Sequence, residues 1–296
     1  MKKKGSVVQL DRISDFGSEG WGFESSLGHL LIFFFLIARL DAQTIISKTE
    51  LPISVYETSG LEIIDKNLIT INDSGNPSNL YYLNKDGDML NIRMLNDLKN
   101  NDWEDLTADE EFIYIADIGN NFDLRENLRI IKTSINSENN SFEIINFYYP
   151  EQDDFSFKQL SMYDAEGLIS IGDNLIIFTK NRAKKTTEVY KLPKKSGNYK
   201  AELIGEINVE SIVTGADYNE KMKLLVLTST FDFNEYFIIK IENFDPSKID
   251  GIRINKFKIP IGKTQIESIK IIDKNTFWVT SEAETFGSPY LFKISL

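Results

Sequence analysis

Asp102-Trp103-Glu104-Asp105-Leu106, followed at Phe112-Ile113-Tyr114-Ile115-Ala116-Asp117 by a run of strand composition, is the stretch from which the fold can be read. Its pattern is an acidic or small polar tripeptide, an apolar residue, a turn, and a short β-rich run that ends in polar residues. The pattern returns. Ser59-Gly60-Leu61 precedes Leu68 to Asp73, Glu166-Gly167-Leu168 precedes Leu175 to Lys180, Thr214-Gly215-Ala216-Asp217 precedes Leu224 to Ser229, and Glu267-Ser268-Ile269 precedes Thr276 to Ser281. Successive copies lie about 45, 62, 50 and 51 residues apart, and self-similarity at such a period marks a repeat architecture.

Between copies the sequence reads as strand. Asn79-Leu80-Tyr81-Tyr82-Leu83, Leu128 to Lys132, Thr187 to Lys191 and Tyr236 to Lys240 are rich in aliphatic and aromatic residues and are bounded by Asn, Asp, Gly and Pro, the composition of short strands and their turns. A fourth strand follows at Phe142 to Phe147, Ala201 to Ile207 and Ile254 to Ile259. Four short antiparallel strands in each repeat of 40 to 60 residues make a β-propeller blade. The last copy supplies only a third strand, Tyr290 to Ile294, while Thr44 to Thr49 stands unassigned at the other end. Pairing the two closes the ring and removes an exposed edge. The expectation is an all-β, five-bladed propeller closed by the N-terminal strand, with six blades as the alternative. The long second interval leaves room for a sixth, but Asn121 to Tyr163 holds two clear strands and Glu151 to Ser161 reads as a polar loop over one mouth.

Residues 1–29 have no place in this fold. Gly22-Phe23-Glu24-Ser25 can be encoded by the bases of a transfer-RNA T-arm, so the segment reads as spurious upstream translation or, alternatively, a disordered tail. Residues 30–42 hold the apolar run Leu30 to Ala38 and the small Ala42. The run is too short for a bilayer span of about 20 residues but suits the apolar region of a signal peptide; a membrane anchor or a buried strand is the alternative. Residues 43–296 are then one propeller domain, exported to the periplasm or beyond, with no stable membrane insertion once the signal is cleaved.

Composition narrows the chemistry. The net charge is −12 and the sequence has no Cys. A chain this acidic repels nucleic acid and anionic lipid. The one His, His29, lies ahead of the propeller, so catalysis by Ser-His-Asp or Cys-His and zinc sites built on His or thiolate are excluded there. What remains is carboxylate, hydroxyl, amide, Lys, Arg and Tyr chemistry. A metal site would be an oxygen site for Ca²⁺ or Mg²⁺; no organic cofactor is expected.

In a propeller the first strand of each blade lines the central channel, and its beginning sits at one mouth. Glu104 and Asp105, Asp164 and Glu166, Asp217 and Glu267 fall there. Like charges about 7 Å apart cost on the order of 2 kcal/mol per pair at an effective dielectric near 20, so the cluster calls for a cation, a basic partner or protonation. Glu104, Asp117, Glu166, Asp217 and Glu267 are the expected metal ligands. The competing role is scaffold, with acids accepting backbone N–H groups of the next blade. The blades also differ: Asn72-Asp73-Ser74-Gly75 and Asp117-Ile118-Gly119-Asn120-Asn121 follow two second strands, but Lys180-Asn181-Arg182 follows the third. Asn72, Asp73, Asn120, Lys180 and Arg182 are therefore expected to form a polarised ligand pocket, an ordinary solvated turn being the alternative. Trp103 and Trp278 are expected to pack between blades. The first functional reading is a binding module for a small molecule, a glycan or an envelope protein. The second is a Ca²⁺- or Mg²⁺-dependent hydrolase of a phosphate ester, lactone or glycoside, with Glu104 or Glu166 as the catalytic base.

Trp103-Glu104-Asp105 with Ile115 to Asn121, Asp164-Ala165-Glu166-Gly167 with Phe178 to Asn181, and Thr214 to Tyr218 together resemble an uncharacterised family of secreted bacterial β-propellers of Bacteroidetes type. More distantly the pattern is similar to gluconolactonase-like and phytase-like propellers, a resemblance that implies calcium-dependent hydrolysis.

Overall fold

The computed structural model describes residues 43–136, 141–262, 264–283 and 287–296; the expectations for residues 1–29 and 30–42 lie outside them. Each sequence repeat forms one antiparallel blade. Blade one is Thr58–Ile64, Asn67–Asn72, Asn79–Leu83 and Met89–Met94. Blade two is Trp103–Ala108, Phe112–Asp117, Arg129–Ser134 and Phe142–Tyr148. Blade three is Ala165–Ile171, Asn174–Thr179, Thr186–Pro193 and Glu202–Asn208, and blade four is Ile212–Asn219, Leu224–Phe231, Glu235–Glu242 and Asn255–Lys258. Blade five takes Ile266–Ile271, Thr276–Ser281 and Tyr290–Ser295 from the C-terminal end and Thr44–Glu50 from the N-terminal end, paired from Thr44 opposite Ser295 to Glu50 opposite Tyr290. The ring has five blades, closed as the sequence predicts. Among the described residues the helical content is one short turn, Ile53–Val55, and no helix is long and apolar enough to cross a membrane.

The core lies between blades rather than at the axis. Strand alternation sends one set of side chains to each face of a blade, and facing sets interlock. Ile69, Ile71 and Leu80 of blade one meet Trp103, Leu106 and Ile115 of blade two, and Tyr114, Ile130 and Ile145 meet Leu168, Ile177 and Tyr190 of blade three. Equivalent layers join blades three to four, four to five and five to one. Trp103 is in the first of these layers and Trp278 in the last, against Leu61 and Leu68.

The long second interval holds a loop, not a blade. Residues 149–164 contain no strand; Asp123 anchors them by accepting the N–H groups of Met162 (2.9 Å) and Tyr163 (3.0 Å), and Gln152 donates to the Asp123 carbonyl at 2.9 Å. One strand was not foreseen. Gly197–Lys200, from the turn before blade three's last strand, adds in parallel to the outer edge of blade two, with Asn146 donating to Asn198 at 3.1 Å. Four residues with two apolar neighbours at most carry too little pattern to announce such an edge.

Candidate functional site

The innermost strands are Thr58–Ile64, Trp103–Ala108, Ala165–Ile171, Ile212–Asn219 and Ile266–Ile271. Each loses register with its second strand near its beginning, skipping Gly60, Glu104, Glu166, Thr214 and Glu267 respectively. A β-bulge leaves its extra residue out of the ladder and re-aims the side chain. Here the bulges turn Glu104, Glu166 and Glu267 into the axial channel, where with Ser59 they line a cavity of about 240 Å³ at the mouth where the innermost strands begin. This is called the upper mouth below. In blade one the bulged residue Gly60, and in blades two to four the residue after the bulge, Asp105, Gly167 and Gly215, lie against the neighbouring blade. Gly60, in the left-handed region at φ 64°, would place a Cβ 2.6 Å from the Leu106 nitrogen. Asp105 instead uses the contact, accepting the Leu168 N–H of blade three at 2.8 Å.

Turns after the second strands complete the mouth. Asp73, Lys180 and Glu282 each follow the last residue of a second strand and line the cavity. Lys180 pairs with Glu166. Arg182 donates to Asp164 at 2.9 Å and to Asn121 at 2.6 Å, and the Asn120 N–H holds the other Asp164 oxygen at 2.7 Å. Two sets of carboxylates, Asp73 with Asp102 and Glu104, and Glu104 with Asp164 and Glu166, bring ligand oxygens within 4.8 Å of one another. Gly119 permits this approach: a Cβ there would overlap the carboxylates of Glu104 and Asp102.

The acids outnumber the bases, and their proton affinities respond. Burial, then Asp73, Glu166 and Asp102, push Glu104 well above the usual carboxylate range. Burial and Glu166 do the same to Glu267. Burial raises Asp73 to about 7, Asp102 to about 6 despite Arg125, and Glu282 to about 8. Glu166 is raised by burial even beside Lys180. Burial alone would lower Lys180, but Glu166, Glu267 and Asp164 outweigh it and hold the ammonium charged. Two carboxylate charges 4.8 Å apart cost about 3 kcal/mol at an effective dielectric near 20. One oxygen of Glu166 is buried without a hydrogen-bond partner, as is the hydroxyl of Thr214 at the equivalent bulge of blade four. Buried polar groups are nearly always partnered. A cluster of carboxylate oxygens, one of them unpartnered and the whole short of positive charge, suits a hard cation that accepts flexible oxygen coordination.

The structure sorts the residues singled out from the sequence. Glu104, Glu166, Glu267, Asp73, Lys180 and Arg182 share the upper cavity. Asn120 stands behind Asp164. Asn72 donates to the Ser54 carbonyl at 2.9 Å and belongs to the blade-one turn. Asp117 is enclosed by Arg125 and Arg129, each at 2.8 Å. Asp217 lies three residues past its bulge, towards the other mouth, where it accepts from Lys270 at 2.8 Å and from the Ile271 N–H at 2.7 Å. The sequence places Asp217 among the channel acids, but Thr214 occupies the channel position. Asp102 and Glu282 were missed. Glu282 was legible: it follows its second strand as Asp73 and Lys180 follow theirs.

No family model matches the chain, and no curated protein matches it. Among solved structures it is similar to a PQQ-bound aldose sugar dehydrogenase from Streptomyces coelicolor, with a TM-score of 0.50 and 8% identity over 86% of this chain and 98% of that one. A putative glucose dehydrogenase from Thermus thermophilus aligns with a TM-score of 0.45 and 8% identity over 85% and 99%. A chain of a mitotic checkpoint complex covers 97% of this chain and 99% of its own length, at 12% identity and a TM-score of 0.43. The likeness is one of architecture.

Proposed function

We propose that the protein is a binding module whose upper mouth holds a divalent cation, Ca²⁺ before Mg²⁺, between Glu104 and Glu166 with Asp164 beside them and Asp73 and Asp102 on the adjoining wall. The observation that carries this is the buried, unpartnered oxygen of Glu166 within a set of carboxylates whose ligand atoms lie within 4.8 Å. A doubly charged ion removes the mutual repulsion that otherwise has to be met by protons. Lys180 and Arg182 on the same wall make the loaded mouth a receptor for a small oxyanionic molecule or the acidic group of a glycan or envelope protein. The charge of −12 speaks against nucleic acid. Export to the periplasm or exterior fits the apolar run Leu30 to Ala38.

A hydrolytic reading is favoured by one feature: burial, then Asp73, Glu166 and Asp102, raise the Glu104 carboxyl well above the usual carboxylate range, so that it holds a proton to give. In that case the ion polarises the scissile oxygen and Glu104 or Glu166 moves the proton. Calorimetric titration with Ca²⁺ and with Mg²⁺ tests the binding reading. Saturable heat, lost in Glu166→Gln, is the expected result; absence of heat from both ions refutes it. Turnover of a panel of phosphate esters, lactones and glycosides by the loaded protein, lost in Glu104→Gln with Ca²⁺ binding weakened less than tenfold, would establish the hydrolase.

A further inference from the structure

The upper cavity does not end at its carboxylates. Arg182 and Phe233 line it and also line an adjoining cavity of about 200 Å³, walled further by Leu160, Ile212 and Phe231. One compartment is acidic and cationic, the next apolar and aromatic. Phe233 sits at the tip of the turn joining Leu224–Phe231 to Glu235–Glu242, with φ 52° after Asp232 at φ 49°. A bulky ring in the left-handed region is an outlier, and glycine is the usual residue there. Nor is the ring held in place by burial, since 46% of the residue is exposed. Leu160, on the loop tethered by Asp123, is 59% exposed and lines the same cavity. An apolar cavity beside a charged one, with a strained aromatic lining both, is an arrangement for a two-part ligand.

We infer that this chamber receives the flat apolar ring of a small organic oxyanion, whose phosphate or carboxylate head meets the cation of the mouth beside Lys180 and Arg182. The inference rests on the cation reading and names the ligand class for the same site. Phe233 is then the residue that selects ring-bearing ligands over bare anions.

The test uses the full chain saturated with Ca²⁺ and compares phenyl phosphate with inorganic phosphate, and benzoate with acetate, by calorimetry. Burial of a ring is expected to tighten binding about tenfold or more in whichever pair has the preferred head. Phe233→Gly should bring that ratio close to one while raising the melting temperature, because glycine adopts the turn without strain. Leu160→Ser, on an exposed loop, should lower the ratio as well. Equal affinities within both pairs, no binding by either, or a ratio that survives Phe233→Gly would overturn the inference. A Ca²⁺ titration on the same samples separates the two readings. Ca²⁺ binding without ring preference refutes the apolar chamber alone, whereas failure to bind Ca²⁺ refutes the cation site and this inference with it.

Discussion

The two mouths of the channel are built from the same five strands and reach opposite electrostatic solutions. At the lower mouth, Glu62 and Asp217 share the ammonium of Lys270, and every carboxylate oxygen has a donor: Ile63 N–H at 2.7 Å and Ala108 N–H at 3.2 Å for Glu62, Lys270 and Ile271 N–H for Asp217. At the upper mouth Asp73, Asp102, Glu104, Asp164, Glu166, Glu267 and Glu282 face Lys180, Arg182 and Arg125, and a Glu166 oxygen is left over. The lower cluster is complete within the protein. The upper one is complete only with something added. An acidic residue on an innermost strand therefore says little by itself; whether its oxygens are satisfied separates scaffold from site.

The sharpest way to break this contrast is to remove the lower mouth's cation. Lys270→Met leaves two buried carboxylates without their shared partner, and loss of one member of a buried pair costs about 3–5 kcal/mol. The melting temperature should fall by roughly 6–20 °C for a domain of this size, and added Ca²⁺ should restore little of it. Removing an acid from the upper mouth should do the reverse. In EDTA, Glu104→Gln eliminates repulsion with Asp73, Glu166 and Asp102, and a gain of about 1–3 kcal/mol is expected, read as a higher denaturant midpoint. Asp105 sharpens the comparison from the scaffold side. Asp105→Ala leaves the buried Leu168 N–H unpartnered and should cost about 1–3 kcal/mol, with or without ion.

The pH response supplies a smaller but signed effect. Asp73, Asp102 and Glu282 have folded-state values raised to about 7, 6 and 8. The folded protein thus binds these protons more tightly than the unfolded chain, whose carboxylates titrate near 4. Their stabilising contribution is fully present below about pH 4 and is lost as pH rises through 6 to 8. In EDTA the melting temperature should therefore decline between about pH 5 and pH 8, and saturating Ca²⁺ should remove the decline because the ion replaces the protons. Asp109 works in the other direction: burial opposes its charge, but Lys194 and the Glu111 and Phe112 N–H groups lower it to about 2, so its contribution disappears only as pH falls below about 4. Gly119→Ala is the most local perturbation. The new methyl overlaps the Glu104 and Asp102 carboxylates but leaves the blades alone, so Ca²⁺ affinity should drop several-fold while the EDTA melt stays within a few degrees of wild type.

Strand composition made the blades legible because each strand is short, apolar and punctuated by turn residues. Phe112–Asp117, Asn79–Leu83 and Thr276–Ser281 coincide with runs visible in the sequence, and the N-terminal strand is legible because blade five lacks a fourth strand without it. The site was half legible. Glu104, Glu166 and Glu267 recur at one place in the repeat, but the bulge that aims them into the channel is a loss of register between strands, which no single strand records. Asp217 joins the set by sequence for that reason: its neighbourhood matches, and only the pairing of Gly215 with Thr228 shows Thr214 to be the bulged residue. Asp102 was hidden for a different reason. It joins Glu104 and Asp73 across a turn, a closeness set by how blades one and two meet.

The most direct test of the central claim is a thermal melt of the protein at pH 7.5, first in excess EDTA and then with Ca²⁺ at about 100 times its dissociation constant. The account predicts stabilisation of roughly 2.7 kcal/mol, a rise of about 5–10 °C, that disappears in Glu166→Gln and persists in variants of the lower mouth that fold. Identical melts in EDTA and Ca²⁺, or a rise that survives loss of Glu166, would contradict it.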